Sequence, residues 1–428
     1  MAITRRTRAT ALVSIVAGFG LALSGCAAGT STSSTTSAPD DSSASPAADP
    51  FGTPNPASGD PIVFGTIALA SGPITFPEVL AAEQAAVEYV NGYLGGIGGR
   101  PIKLVSCDTD GAPATSQRCA NQILDEKPVA IIGGADIGSP GAIPVWEGAG
   151  LAYLGGIPFT PVEQNSPNAV IFSSVSTADN AAASVFAATE LKAKSAAVIY
   201  TSDTQGTSVA EGVIIPTMTA AGITDITKIS IPPTASDVAS AVATAVGANP
   251  DVIYVNTPVA CPNILSSLLQ LGNQAIIMGI DPCTSPPAIA GANGGAEGLY
   301  FAAPVLDPSA GTDETNLYVA AMKKWAPADV HLDSLAAIGF QTIINVQAAL
   351  KDFAAEDLTK DKILAAFTEG SDHPNFMAHE YTCDGKQLPG ATAVCNAYQQ
   401  IRQIKNGAPV AVNEEWVDAG EYYSPAAH

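Results

Sequence analysis

The chain has 428 residues, of which 47% are hydrophobic and only 14% charged, and its 40 acidic against 18 basic residues give a formal net charge of −22. That balance disfavours partners carrying negative charge, nucleic acid and anionic lipid headgroups first among them. The length exceeds what one hydrophobic core supports, so two lobes are expected.

In chain order, Arg5, Arg6 and Arg8 precede an apolar run from Ala11 to Leu23 that closes with Leu23-Ser24-Gly25-Cys26. A basic start, a short apolar run and small residues describe an export signal over residues 1–25, because a spanning helix needs about 20 apolar residues. Leu-x-Gly-Cys resembles a bacterial lipobox, which implies cleavage before Cys26, diacylglycerol on its thiol and a lipid anchor at the extracytoplasmic face of the membrane. Arg5-Arg6 also fits twin-arginine export, and the route stays open. Residues 26–59 are almost entirely Ser, Thr, Ala, Pro, Gly and Asp. Such a stretch holds too little apolar mass to pack, so a disordered tether is expected, with an r.m.s. reach of about 30 Å.

The stretch from Asp60 to Asp110 reads as strand (Ile62 to Ala70), turn (Ser71-Gly72-Pro73), helix (about Glu78 to Tyr93), glycine turn (Gly95 to Gly99) and strand (Pro101 to Cys107), one βαβ unit. Val79, Ala82, Ala86, Val87 and Val90 recur near the helical period, leaving Glu83, Gln84 and Glu88 for the solvent side. Apolar and amphipathic segments then alternate: helix Ala114 to Glu126, strand Val129 to Ile132, helix Gly141 to Gly148, strand Ala152 to Leu154, extended Val170 to Val175. The same alternation continues with strands at Ala196 to Tyr200, Ile226 to Ile231, Val252 to Val255 and Ala275 to Gly279, separated by helical stretches from Ala178, Ser208, Ser236 and Asn263. Connections of this length fit right-handed parallel crossovers in a doubly wound α/β architecture. Thr315 to Trp325 and Leu335 to Phe353 are helical by period, and Tyr398 to Lys405 with Asn406-Gly407 reads as a hairpin.

"VFGTIALASGPITFPEVLAAEQAAVEYVNGYLGGIGGRPIKLVSCDTD" combines a strand ending in Ser-Gly-Pro, a helix passing through Asn into a Gly-Gly-Ile-x-Gly turn, and a strand entering an acidic turn. This combination resembles the opening of the substrate-binding lipoproteins of branched-chain amino acid ABC transporters. The resemblance implies the two-lobed type I periplasmic-binding-protein fold, each lobe a doubly wound parallel sheet, joined by a three-stranded hinge crossing. It places residues 60–174 and 304–378 in the first lobe, 175–303 and 379–420 in the second. It implies a monomer that binds a small-molecule solute and docks on the permease subunits of an importer, without a cofactor. A second possibility keeps the fold but makes the protein a ligand-sensing or interaction lipoprotein not coupled to transport.

Setting Cys26 aside, six cysteines remain, an even number in an exported chain, which points to three disulfides. Fifteen pairings are open; neighbours in sequence, Cys107 with Cys119, Cys261 with Cys283 and Cys383 with Cys395, are the expected ones. No CxxC spacing supports a metal or redox role. Histidines occur only at 331, 373, 379 and 428, outside the loops that follow strands, and there is no GxSxG, HExxH, P-loop or dinucleotide fingerprint. An enzyme is not expected, nor is a bound metal.

Ligands of open parallel sheets bind outside the carboxyl ends of the strands, so the loops at 71–77, 133–141, 155–161, 201–206, 256–262 and 279–284 are the candidates. The resemblance gives the first lobe the ligand's carboxylate, held by amides, hydroxyls and a helix N-terminus, with Ser71, Ser139 and Thr160 as hydroxyl candidates. Ser139 is equally an ordinary helix cap. Phe76, Ile157 and Phe159 are candidates for an apolar wall, with core packing as the alternative. Asp281, in "IIMGIDPCT", matches the acidic residue that pairs with the ligand ammonium in the family, the alternative being a local cap. Gln205 and Pro258 stand where relatives often carry tyrosine, and Asp136-Ile137 replaces a small hydroxyl-rich run. The ligand is therefore expected among amino acids, amides and hydrophobic carboxylates.

Overall fold

The computed structural model describes residues 49–72 and 74–423. The export signal, Cys26, most of the tether and Pro73 lie outside the described residues. Two sheets carry the fold. The first orders its strands β2-β1-β3-β4-β5, all parallel: β1 Ile62–Leu69, β2 Ile102–Thr109, β3 Ala130–Ile132, β4 Tyr153–Leu154 and β5 Ala169–Val170. The second comprises β6 Ser195–Thr201, β7 Asp225–Ile231, β8 Val252–Asn256, β9 Ile276–Gly279, β10 Tyr300–Ala303, β11 Tyr398–Lys405 and β12 Ala408–Asp418, in the order β12-β11-β10-β9-β8-β6-β7. Its first five strands are parallel and β11–β12 is an antiparallel hairpin added at the β10 edge.

The strands read as near-continuous apolar runs because helices cover both faces of each sheet. Close packing of those helices is written in glycines. A Cβ on Gly65 of β1 would lie 2.2 Å from Ile123 of the helix Pro113–Asp125. One on Gly339, in the helix Ser334–Leu350, would lie 2.7 Å from the Val79 carbonyl in the helix Pro77–Tyr89. These two helices bury Val79, Ala82, Ala86, Ile338, Phe340 and Ile343 over β1 and β4 in the first-lobe core. The second lobe has a core on each face, one around Tyr254, Ala182 and Ile401, the other around Val255, Leu265 and Phe301.

Three segments cross between the lobes. After β5 the chain pairs Ile171 with Val394, then enters the helix Ala178–Thr189 of the second core. After β10 it returns through Val305, which is buried in the first core. The third crossing runs from Ala393, packed in the first lobe, to Ala397, packed in the second. The first two crossings leave from the carboxyl ends of parallel strands, so the carboxyl edges of the two sheets face each other across the hinge.

Several boundaries move. The tether was expected to run to residue 59, yet the chain is packed from Phe51: its ring lies 4.9 to 5.9 Å from those of Trp325, Tyr93 and Tyr89. Asn55 and Ala57 donate backbone hydrogen bonds to Gly92 and Asn91. The hydrophobic mass comes from one phenylalanine meeting an existing aromatic face, which composition averaging hides. The second-lobe segment expected to begin at 379 instead keeps Tyr381 and Cys395 in the first core, where Tyr381 packs against Phe172. The first helix passes into a π-helical turn, Val90–Leu94, before Gly95 ends it at φ 76°. The helix expected from Ser208 starts at Thr204, where Asp203 caps it, and contains a π turn at Ala210–Ile214. Short helices at Pro161–Gln164, Pro286–Gly291 and Lys360–Thr368 are additional.

All three neighbour disulfides are formed, Cys107–Cys119, Cys261–Cys283 and Cys383–Cys395. Among the described residues no helix is long and apolar enough to cross a membrane, and no group of His, Cys, Asp and Glu is placed to hold a metal.

Candidate functional site

The facing carboxyl edges form the candidate site. On the first lobe, Ser71 is exposed, and its hydroxyl donates to the Thr109 carbonyl at 3.4 Å. Phe76, half-buried, stacks on Phe159 with centroids 5.4 Å apart. Ile157 is not part of this wall: it is fully buried, bridged to Ala135 and packed in the core, because its strand-like backbone turns its side chain under the loop.

Ser139 and Thr160 come together, their hydroxyl oxygens 2.7 Å apart. Ser139 opens the helix Ser139–Gly148, whose N-cap is Gly138. Beneath this pair lie two carboxyls. Asp136, 5% exposed, accepts from the Ser116 hydroxyl at 3.0 Å and the Gly138 amide at 2.9 Å. Burial pushes it above the usual carboxylate range, and those two bonds only partly offset the shift. Its position is that of a local cap as much as a lining residue. Glu163, fully buried, accepts from the Thr160 amide at 2.9 Å and hydroxyl at 3.2 Å, and from the Tyr153 hydroxyl at 3.2 Å. Burial raises it to about 8. Glu163 was not singled out from sequence, although Thr160-Pro-Val-Glu163 is a capping-box pattern that places such a residue at N3.

On the second lobe, Gln205 and Pro258 are exposed. Asp203 accepts from the Gly206 amide at 2.7 Å. At the end of β8 two buried polar atoms, Asn256 Nδ2 and Thr257 Oγ1, have no hydrogen-bond partner among the described residues. The Cys261–Cys283 bridge ties this loop to the one bearing Asp281.

Asp281 is half-buried and reaches across the lobes, for its Oδ1 accepts from Ser334 Oγ at 3.2 Å. Thr284 Oγ1 donates to the Asp281 carbonyl at 2.7 Å. Burial raises the Asp281 carboxyl to about 6, with repulsion from Asp333 next, while the Arg402 charge and the two hydroxyls pull it down. Asp333 caps its own helix through the Ala336 amide at 3.0 Å and is likewise raised to about 6, chiefly by burial. Behind them Arg402 of β11 is 2% exposed. It pairs with Asp307 at 3.5 Å, donates to Ser334 Oγ at 3.3 Å and to the Gln400 side chain at 3.4 Å, and also donates to the Val305 carbonyl. A cavity of about 480 Å³ opens here, lined by Asp281, Asp333, Ser334, Phe301, Leu332 and Arg402 among others. Arg402, Asp333 and Ser334 were not singled out from sequence, because they lie 52 to 121 positions from Asp281.

The structure thus gathers Ser139, Thr160, Asp136 and Glu163 on one edge and Asp281, Asp333, Ser334 and Arg402 on the other, and leaves Ser71 and Gln205 at the surface. Such an arrangement can clasp a small molecule between apolar loops with a few polar groups, within the usual size range of small-molecule cavities.

Comparison with known proteins agrees. Residues 61–397 match the family model described as periplasmic binding protein. No curated protein matches the chain in sequence. Among solved structures, a leucine binding protein from Thermotoga maritima is 19% identical, with a TM-score of 0.68 over 83% of this chain and 99% of that one. A fatty acid ABC transporter substrate-binding protein from Thermomonospora curvata is 19% identical, TM-score 0.69, over 89% and 99%. A solute binding protein of an ABC transporter from Rhodopseudomonas palustris, in complex with 3,4-dihydroxybenzoic acid, is 18% identical, TM-score 0.68, over 85% and 99%. At these identities the structural likeness speaks for the fold, and the family match, over most of the chain, for membership: the chain belongs to the periplasmic binding proteins.

Proposed function

We propose that this protein is the extracytoplasmic, lipid-anchored receptor of an ABC importer, which binds a small solute between its lobes and presents it to permease subunits by hinge closure. The observation that carries it is the Asp281–Ser334 hydrogen bond, a contact between lobes beside three crossings and a cavity of about 480 Å³. Leucine-, fatty acid- and aromatic acid-binding neighbours support a solute with an apolar body. The amino acids, amides and hydrophobic carboxylates named from sequence all have one. The lipobox ending at Cys26 supports the anchor, and the acidic surface argues against nucleic acid. The protein acts as a monomeric binding protein, not an enzyme.

Small-angle scattering of the purified protein with a broad solute panel tests this. Compaction with one solute class is expected, and mass spectrometry of material released from the cleft identifies its natural member. No compaction with any solute would overturn the receptor function; co-purification with a sensor kinase instead of a permease would transfer it to signalling. For the anchor, Cys26→Ser is expected to move the protein from the membrane to the medium, and retention in the membrane would exclude lipidation.

A further inference from the structure

The short helix Pro161–Gln164 sets Glu163 beneath the first-lobe edge, where the hydrogens around its carboxyl are few enough to follow one by one. Glu163 is fully buried. Its Oε2 faces the Thr160 amide at 2.9 Å and the Thr160 hydroxyl at 3.2 Å, and its Oε1 faces the Tyr153 hydroxyl at 3.2 Å. The Thr160 hydroxyl lies in turn 2.7 Å from that of Ser139. Each hydroxyl has a single hydrogen to donate, and an ionised carboxyl can only accept. While Glu163 is ionised, the Thr160 hydrogen therefore turns inward to it and the Ser139 hydrogen toward Thr160, so the pair shows lone pairs to the space between the lobes. A proton on Oε2 reverses the chain. Glu163 then donates to the Thr160 oxygen, and the hydroxyl hydrogens are free to face an acceptor on the solute.

The charges around this chain have one sign. Asp136, in the loop after β3, repels the Glu163 carboxyl, and Glu83 of the helix Pro77–Tyr89 acts with both of them on Tyr153 of β4. Glu83, which the helical period leaves for solvent, is fully buried, and both its oxygens, like Asp136 Oδ2, have no hydrogen-bond partner among the described residues. Glu147, in the helix Ser139–Gly148, accepts from Ser166 Oγ at 2.5 Å. None of these four carboxyls forms a salt bridge among the described residues. Burial without a cation is what raises Glu163 to about 8. A solute carboxylate above the hydroxyl pair adds a further negative charge and tightens the hold of Glu163 on its proton.

We propose that the solute is an acid and that Glu163 governs its binding: one solvent proton resides on Glu163 whenever the solute carboxylate sits on the Ser139 and Thr160 hydroxyls, so that acid and proton bind together. This rests on the receptor function proposed above and narrows its ligand to carboxylates. The hydroxyl pair is where the family resemblance puts a carboxylate; the proton beneath it is the addition. Glu163 reaches the solute only through Thr160, which makes it a positioning residue that aims hydroxyl hydrogens.

Isocaproate, benzoate and leucine are titrated calorimetrically into the mature protein from about pH 7 to about pH 9, each in two buffers of different ionisation enthalpy, with scattering recorded in parallel. The affinity of an acid that binds is expected to fall about tenfold over this range, with proton uptake approaching about one per acid bound at its upper end. In Glu163→Gln both the fall and the uptake should vanish. Infrared spectra give a second readout, independent of the variant's affinity. The protonated-carboxyl band missing from Glu163→Gln should fade from the free wild-type protein by about pH 9 and persist in its acid complex. Acid binding by the wild type without proton uptake overturns the inference, as does an undiminished fall in the variant or a band that fades equally with acid bound. If no acid binds while another solute compacts the protein, the inference fails and the receptor function stands. Failure of every solute, here and in the broad panel, removes both.

Discussion

Ser334 Oγ lies 3.2 Å from Asp281 Oδ1, so the head of a first-lobe helix is hydrogen-bonded to a loop of the second lobe. A bond placed between two bodies acts on the angle between them more than on the stability of either. Ser334→Ala is expected to cost about 1 kcal/mol of the observed lobe arrangement, the usual net worth of such a bond. The scattering radius without solute should rise while the melting temperature stays nearly constant. An unchanged radius would show that the bond does not influence the hinge.

Buried and half-buried carboxyls set a pH dependence; burial also raises Asp136 and, most of all, the fully buried Glu83. Glu163 is raised to about 8, Asp179 to about 7, and Asp281 and Asp333 to about 6, each chiefly by burial. Each binds its proton more tightly folded than unfolded, so its contribution to stability is complete below the unfolded value near 4 and is lost as pH rises through the folded one. The melting temperature should therefore climb as pH is lowered from about 8.5 to about 5 at fixed ionic strength. Glu163→Gln should flatten the upper part of that slope, which separates the effect from relief of general acidic repulsion. A melting temperature that falls over this range would contradict the assignment.

Much of this was legible in the chain. Runs such as Ile62–Leu69 and Val252–Asn256 are apolar throughout because they are covered on both faces, and the glycine turn after the first helix ends it through a left-handed residue at Gly95. The resemblance located Asp281, Ser139 and Thr160 on facing edges. What stayed hidden depends on distant partners. Arg402 looks like any charged residue in a strand until Asp307, 95 positions earlier, and Ser334 meet it in the interior. Phe51 sits in a stretch of Pro, Gly and Ser that composition assigns to a tether, and only the face made by Tyr89, Tyr93 and Trp325 gives it a place to pack. Ile157 shows the opposite error, a loop-like residue that the fold turns inward.

Arg402 and Asp307 form a buried pair whose side chains are 2% and 12% exposed. Removing one partner leaves the other buried and unmatched. Arg402→Met is expected to destabilise the protein by about 3 kcal/mol in urea unfolding. Arg402→Met with Asp307→Leu should recover part of that loss, since two apolar groups leave no orphaned charge. Equal destabilisation by the single and double variants would show that the pair's mutual charge is irrelevant.

The Cys261–Cys283 bridge closes a loop with a sequence separation of 22 and joins two strand-end loops of the second lobe. Replacing both cysteines with alanine should lower stability by about 3 kcal/mol in the chain-entropy account. Hydrogen exchange should accelerate at Asp281–Thr284 more than at β8. Uniform acceleration across the lobe would deny the bridge a local role.

Phe51 contributes through its aromatic neighbours and through Lys324, whose ammonium lies 4.5 Å from its ring centre. Phe51→Ala should cost about 2 kcal/mol from lost apolar burial and aromatic contact. It should also open residues 49–58 to limited proteolysis. Continued protection of that segment would place its anchorage elsewhere, in the Asn55 and Ala57 backbone bonds.

The same aromatic anchorage has a mechanical consequence. Because Phe51 clamps the start of the described chain on the first lobe, a pull applied at residue 49 is borne by that lobe alone. The first lobe is then the frame and the second the moving jaw. Distance probes between Phe51 and each lobe should register the excursion of closure almost wholly on the second.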